Sequence, residues 1–199
     1  MDDRAKFVIN IMLQKLGIKS KDIDTLINHF ETANRSYKTI IDAMTRLQDH
    51  FIIERKYDEA TICNILKDCS IYECSIDKIK TVEEILEKRQ YTFEEQKKVI
   101  GGYPSIFSYS ADNIDKKVVY YNDIKIKNLM VNHSRHFIQG LNLTYARKHF
   151  LDTKMLFDER QKDLFLPEER FINIYGTEAN NTKLKRRFPI TESKYLIKK

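Results

Sequence analysis

The scarcity of glycine and proline constrains the fold of this chain more than any other feature of its sequence. The 199 residues include only five glycines and three prolines, so dense turn networks are not expected and α-helix is the favoured class. About 42% of the residues are hydrophobic, enough for a core in a chain of this length. Two glycines nevertheless stand beside a proline within residues 99–114, VIGGYPSIFSYSADNI, in the middle of an apolar helical pattern.

Three amphipathic segments precede this break and predict three short helices. The second and third segments read SKDIDTLINHFE and SYKTIIDAMTRLQDHF, and Ser36 is a candidate N-cap of the third. The first helix is expected over residues 5–16. Its predicted core side chains are Phe7, Val8, Ile11, Met12 and Leu16.

Residues 57–79 resemble residues 92–114 when the two segments are aligned at an offset of 35. CSIYECSIDKI then lies over PSIFSYSADNI, with Cys69 opposite Pro104. The alignment predicts a repeated unit of one helix, a break and a second helix. A looser third copy is predicted from residue 124, with Phe137 in the place of Phe107. An ordinary helical bundle with similar loops is the alternative.

Gly101 and Gly102 stand at the break of the second unit. They are expected either to end its first helix or to let a neighbouring backbone approach closely. Pro104 cannot continue that helix and biases Tyr103 toward an extended conformation.

The segment KVIGGYPSIFSYSADNIDKKVVYY, residues 98–121, resembles the repeats of the mitochondrial transcription termination factor (mTERF) family. Each repeat of that family has a proline near the end of its first helix, and Pro104 occupies this place. NILKDCSIYECSIDKI is similar but has Cys69 instead of the proline. The resemblance covers about residues 57–151. It implies a curved array of helix pairs whose concave basic surface holds DNA or RNA, and it transfers no base-reading residue.

These patterns predict an all-α protein of short helix pairs, stacked as a partial right- or left-handed superhelix. A single helical domain is expected over residues 1–166, with repeat-like units at about 57–88, 89–123 and 124–154. A basic, irregular C-terminal arm is expected over residues 167–199.

Positive charge is concentrated in the C-terminal part. Residues 124–199 contain sixteen Lys and Arg against eight Asp and Glu, a net charge of +8, whereas residues 1–123 contain nineteen against twenty-one. A basic face favours association with phosphate polymers, so non-enzymatic binding of DNA or RNA is the preferred function. A solvated tail that aids solubility is the alternative. The cations predicted to position phosphates are Lys125, Lys127, Arg135, Arg147, Lys148, Lys183, Lys185, Arg186 and Arg187.

Aromatic residues are interleaved with these cations in YARKHF, residues 145–150, and KLKRRF, residues 183–188. Aromatic faces stack on unpaired bases, although core packing is the other interpretation for Tyr145 and Phe150. The rival function is an α-helical adaptor or inhibitor that docks on an acidic or nucleic-acid-binding protein, because helical arrays present extended surfaces to protein partners.

No catalytic motif, cofactor or metal site is predicted. The spacing of Cys63, Cys69 and Cys74 matches no common zinc pattern, and buried, reduced thiols are expected. His133 and His136 lack a third ligand at a suitable spacing.

No apolar run approaches the roughly 20 residues that a membrane span needs. The N-terminus lacks the features of a secretory signal or a transit peptide. A soluble intracellular protein is expected, either cytoplasmic or, if a targeting segment has been removed, organellar.

Overall fold

A computed structural model describes residues 3–197, and within this range the chain is helical and contains no β-strand. The all-α class predicted from the sequence is confirmed. The α-helices are α1 (Asp3–Lys15), α2 (Ser20–Thr32), α3 (Tyr37–Gln48), α4 (Glu59–Leu66), α5 (Ile76–Lys88), α6 (Phe93–Gly102), α7 (Ala111–Asp123), α8 (Lys127–Asn132), α9 (Leu141–Thr153), α10 (Glu168–Tyr175) and α11 (Asn181–Arg187).

The chain divides into two compact units, Met1–Ala111 and Asp112–Lys199. This division differs from the single domain over residues 1–166 that the sequence suggests. The expected irregular arm over residues 167–199 instead contains α10 and α11, and α11 packs against α9. The apolar side chains of Phe171 in α10 and Leu184 in α11 are completely buried, which fixes both helices in the second unit.

The buried face of α1 is not the predicted one. Its buried side chains are Ala5, Ile9 and Leu13, whereas Phe7 is 64% exposed. These three residues are spaced by four and form one narrow row along the helix. Such a row suits the contact that α1 makes with α2, while the sequence pattern suggested a broader stripe.

Between residues 59 and 153, a helix, a short 3₁₀ helix and a second helix follow one another three times. Cys69 and Pro104 are each the first residue of the 3₁₀ helix in their repeat-like unit. Ile71 and Ile106 each stand two residues later and are completely buried. The three successions are α4, Cys69–Glu73 and α5; α6, Pro104–Ser108 and α7; and α8, Ser134–Ile138 and α9.

Gly101 allows close packing between α6 and α4 and does not end its helix. The helix α6 continues through Gly102. A Cβ atom on Gly101 would lie 2.9 Å from Cγ2 of Thr61 in α4, so a larger residue would push the two helices apart. The helix ends at Gly102, and its C-cap residue, Tyr103, immediately precedes Pro104.

In three of the described 3₁₀ helices, the carbonyl of the fourth residue faces a side-chain donor from an earlier part of the chain. The last carbonyls of a helix have no partner within it. The Phe137 carbonyl accepts from Nζ of Lys117, and the Leu164 carbonyl, in the 3₁₀ helix Gln161–Phe165, accepts from Nη1 of Arg147 at 2.8 Å. The Phe107 carbonyl lies 3.7 Å from Sγ of Cys74, whose single proton also faces the nearer Ser70 carbonyl at 3.4 Å. We call these three groups, of Phe107, Phe137 and Leu164, the junction carbonyls.

The donor to the second junction carbonyl is a buried lysine. Lys117 is 2% exposed, and burial lowers the pKa of its ammonium group to about 8. The folded state therefore gives up this proton more readily than the unfolded chain does.

We expect this lysine to make the protein more stable as the pH rises from 8 toward 10.5. In that interval the unfolded chain still binds the Lys117 proton and the folded chain does not, so the free energy of unfolding gains about 2 kcal/mol between pH 8 and pH 10. Urea denaturation followed by far-UV circular dichroism suits this chain, which contains no Trp. Lys117→Met, which keeps the length of the stem, should lack this gain, and identical pH profiles for the two proteins would contradict the expectation.

A cluster of buried polar groups forms in the first unit around a π-helix, Asp49–Glu54, which continues α3. This π-helix turns His50 inward, where Nδ1 lies 3.0 Å from Glu54 and Nε2 lies 3.0 Å from Glu83. Glu83 also accepts from the Tyr57 hydroxyl at 3.3 Å and pairs with Nε of Arg55 at 3.2 Å. Both ring nitrogens face a carboxylate, so the doubly protonated imidazolium fits this site best.

The pKa of His50 is set by opposing effects. Burial lowers it, but the hydrogen bonds and charges of Glu83 and Glu54 outweigh burial and raise the pKa above its ordinary value of 6.5. The stabilisation from this group is fully present below pH 6.5 and disappears as the pH rises through the folded-state pKa.

His50→Gln should remove this pH dependence. The wild-type free energy of unfolding is expected to fall as the pH rises above 6.5, and the variant should be less stable at pH 6 with a flatter profile up to pH 8. Urea denaturation at several pH values between these limits measures the difference. A wild-type profile that rises in this window while that of the variant does not would refute the assignment.

Candidate nucleic-acid interface

All nine cations predicted to position phosphates lie in the second unit, but their environments differ. Arg147 is buried, and Lys127 and Lys148 are half-buried. The exposed members are Lys125, Arg135, Lys183, Lys185, Arg186 and Arg187.

Arg147 is not a surface cation, and its predicted contact with phosphate is wrong. The side chain is 1% exposed, and Nη1 donates to the carbonyls of Leu164 and Leu166 at 2.8 and 2.6 Å. Nη2 donates to Oδ1 of Asn181 at 3.0 Å, and the guanidinium lies 4.3 Å from the centroid of the Phe171 ring. Burial lowers the pKa of Arg147 to about 10, so the group stays charged at neutral pH and serves the fold.

Replacing Arg147 with Met should lower the free energy of unfolding by about 3 kcal/mol or more, because a large buried side chain is lost and the Leu164 and Leu166 carbonyls and the Asn181 amide oxygen lose a charged donor. Arg186→Met, the same substitution at an exposed position of the same unit, should change it by less than about 0.5 kcal/mol. Urea denaturation at neutral pH provides both values. Similar values for the two variants would contradict the structural role.

Lys148 is engaged locally. Its ammonium pairs with Asp152, one turn further along α9, and lies 5.1 Å from the centroid of the Phe157 ring. Tyr145 and Phe150 on the same helix are buried, which confirms the core-packing interpretation for both rings.

Three predicted cations meet on one face of α11. Asn180 caps this helix by accepting from the amides of Thr182 and Lys183. Residues three and four positions apart share a helix face, so the side chains of Lys183, Arg186 and Arg187 converge. Together with Thr177 and Glu178 they line an open depression of about 530 Å³.

The one acidic side chain of this depression is balanced by a further cation. Glu178 forms an ion pair with Nζ of Lys154 at 2.8 Å. This hydrogen bond and the charge of Lys154 lower the pKa of Glu178 below its ordinary value, and the charge of Arg187 adds to the effect. The depression therefore carries net positive charge, and we call this surface, Lys183, Arg186 and Arg187, the α11 cation cluster.

An aromatic stack adjoins the α11 cation cluster, and its members lie too far apart in sequence to be recognised as one feature. The guanidinium of Arg187 lies over the Phe188 ring, with 5.1 Å between its carbon and the ring centroid. The Phe188 ring stacks on His149 at an interplanar angle of 18° and a centroid distance of 6.1 Å. His149 in turn contacts the buried Tyr145 ring at 4.3 Å. The recurrence of a cation beside an aromatic residue in KLKRRF is the signal that points to this stack.

Lys125, Lys127 and Arg135 lie around α8, apart in sequence from the α11 cation cluster. Lys125 has a left-handed backbone, with φ of 60°, in the turn before α8. A polar depression of about 570 Å³ is present in this part of the second unit, but its charges are of both signs. Its lining consists of Asn128, Leu129, Asn132, His133, Asp158, Glu159, Arg160, Gln161, Lys162 and Asp163.

Residues 3–197 contain no group of three or more His, Cys, Asp or Glu side chains arranged to hold a metal ion. The three cysteines are free thiols, with Cys63 buried and Cys69 and Cys74 half-buried. Burial raises the pKa of each thiol. Among the described residues, no helix has the length and hydropathy required to cross a membrane.

The fold and the site together define an all-helical protein with a cationic surface on its second unit. No protein-family model, curated protein or solved structure matches the chain.

Proposed function

We propose that the chain binds nucleic acid through the α11 cation cluster, without catalysing a reaction. The observation that carries the proposal is the convergence of Lys183, Arg186 and Arg187 on one depression whose acidic side chain is already paired. Exposed cations of this kind neutralise phosphates and release counterions. The guanidinium forks of two arginines match the geometry of phosphate oxygens.

The mTERF resemblance belongs to this proposal. Three successions of helix, 3₁₀ helix and helix follow the offsets expected for repeat-like units, and helix pairs in that family form an array that holds nucleic acid. An intracellular location accompanies such a ligand. The removal of Arg147 from the set of phosphate contacts and the local pairing of Lys148 leave the α11 cation cluster as the main contact surface.

Docking on a protein partner is the second candidate. Three exposed apolar side chains of the second unit are available to such a partner. They are Ile138, Met155 and Ile174, which are 67%, 92% and 47% exposed. If the wild-type protein binds no nucleic acid, docking on a protein partner becomes the better candidate.

Neutralising the α11 cation cluster should weaken binding to nucleic acid. We expect the variant Lys183→Gln, Arg186→Gln and Arg187→Gln to lose about 10- to 100-fold in affinity at low salt. The slope of log affinity against log salt should decrease in magnitude by about 1.4 to 2.7, since two or three phosphate contacts are lost and each contributes about 0.7 to 0.9. Fluorescence anisotropy with labelled DNA and RNA at several salt concentrations provides both quantities.

The matched control removes three exposed lysines from the first unit, Lys15→Gln, Lys19→Gln and Lys21→Gln. It changes the net charge of the protein by the same amount and should leave affinity and salt slope close to those of the wild-type protein. Equal losses in the two triple variants would indicate an effect of overall charge and would remove the α11 cation cluster as the site.

A further inference from the structure

The aromatic stack beside the α11 cation cluster holds one arginine in a defined position. Phe188 is half-buried, and its amide donates to the Leu184 carbonyl at 2.8 Å, which anchors the residue at the end of α11. Its ring is supported by His149, and His149 is supported by the buried Tyr145. The guanidinium of Arg187 therefore lies over a ring whose position is fixed by packed neighbours.

The imidazole that packs against Phe188 is neutral at physiological pH. Burial lowers the pKa of His149 below its ordinary value, and the charge of Lys148 adds to this effect. A neutral imidazole does not repel the nearby guanidinium, so the neighbourhood of Arg187, Phe188 and His149 is electrostatically compatible. The aromatic face that Phe188 turns toward Arg187 attracts the cation.

Arg187 is exposed to solvent, and its planar guanidinium is available to a ligand as a flat cationic group. Planar guanidinium groups and aromatic rings stack on nucleobases. Lys183 and Arg186 line the same depression as Arg187, within reach of the phosphates that flank such a base. Only an unpaired base can present its face to this surface, because the faces of paired bases in a duplex are covered by their neighbours.

We infer that the α11 cation cluster recognises single-stranded nucleic acid, with an unpaired base stacked on the Arg187–Phe188 pair and the adjoining phosphates on Lys183 and Arg186. This inference deepens the proposed function and rests on it. It assigns two kinds of contact to one short segment. The contribution of the charges to affinity depends on salt concentration, whereas the contribution of stacking does not.

Two conservative variants separate stacking from charge. Arg187→Lys keeps the positive charge but removes the planar group, and Phe188→Leu keeps an apolar side chain but removes the ring. Each should lower affinity for a labelled single strand of about 15 nucleotides by about 5- to 150-fold, the range measured for loss of one stacked base. The salt slope should stay unchanged, because the number of phosphate contacts is the same.

The ligands are single-stranded RNA, single-stranded DNA and the matched DNA duplex, each with the same labelled end. The wild-type protein is expected to bind at least one single strand more tightly than the duplex, and the two variants should bind the duplex as the wild-type protein does. Phe188→Tyr, which keeps an aromatic ring, should bind single strands about as tightly as the wild-type protein does, unlike Phe188→Leu. Far-UV circular dichroism spectra and thermal midpoints establish that all variants are folded.

Three outcomes overturn the inference. If Arg187→Lys binds single strands as tightly as the wild-type protein, the contact depends on charge alone. If Phe188→Tyr binds them as weakly as Phe188→Leu, the aromatic ring is not the support. If the wild-type protein prefers the duplex, the inference is wrong but the proposed function remains. Absence of binding to all three ligands by the wild-type protein, in contrast, defeats the proposed function itself.

Discussion

The second unit depends on the satisfaction of the carbonyls that end its 3₁₀ helices. A 3₁₀ helix of five residues leaves its last carbonyls without partners inside the helix, and a buried carbonyl without a partner costs about 1–3 kcal/mol. Lys117 and Arg147 meet this requirement at Phe137 and Leu164. Arg147 also binds Asn181, the first residue of α11. A buried cation thus fixes the helix that presents the exposed ones.

Buried charge is compensated differently in the two units. In the first unit His50 lies between two carboxylates, and the gain from those partners exceeds the cost of burial. In the second unit Lys117 donates a hydrogen bond to a backbone carbonyl, and the cost of burial lowers the pKa of the Lys117 ammonium group. A carboxylate carries a full charge, whereas a carbonyl offers only a dipole, so the two cations respond to pH in opposite directions.

Much of the local structure was predictable because it follows from short-range patterns. Ser36 caps α3 through its side chain, as its place before an apolar helical run predicts, and Asp58 and Thr92 cap α4 and α6 in the same way. The offset of 35 brought Cys69 and Pro104 to equivalent positions because the apolar residues around them alternate with serine in the same way. These features depend on neighbours in sequence, which is why the sequence reveals them.

The misassigned residues depend on neighbours in space. A count of charges places Arg147 among the phosphate contacts, but its environment comes from residues 17 to 34 positions away. A signal for its burial does exist: Arg147 stands three residues after Thr144 and four before Leu151, on the buried face of α9. Lys117 stands in the same relation to Ile114 and Tyr121 in α7. The buried face of α1 was harder to predict from the sequence, because contact with α2 determines that Ala5, Ile9 and Leu13 are the buried residues.

The length of the donor side chains explains how the repeat-like units can differ in their number of residues. The second junction carbonyl lies 30 residues after the first, and the third lies 27 residues after the second. The donors to the second and third, Lys117 and Arg147, have long, rotatable stems that accommodate such a difference, whereas the short thiol of Cys74 makes only a weak contact at the first. A long basic side chain on the inner face of a helix can therefore reach the open carbonyl of a later 3₁₀ helix without a fixed spacing between junctions.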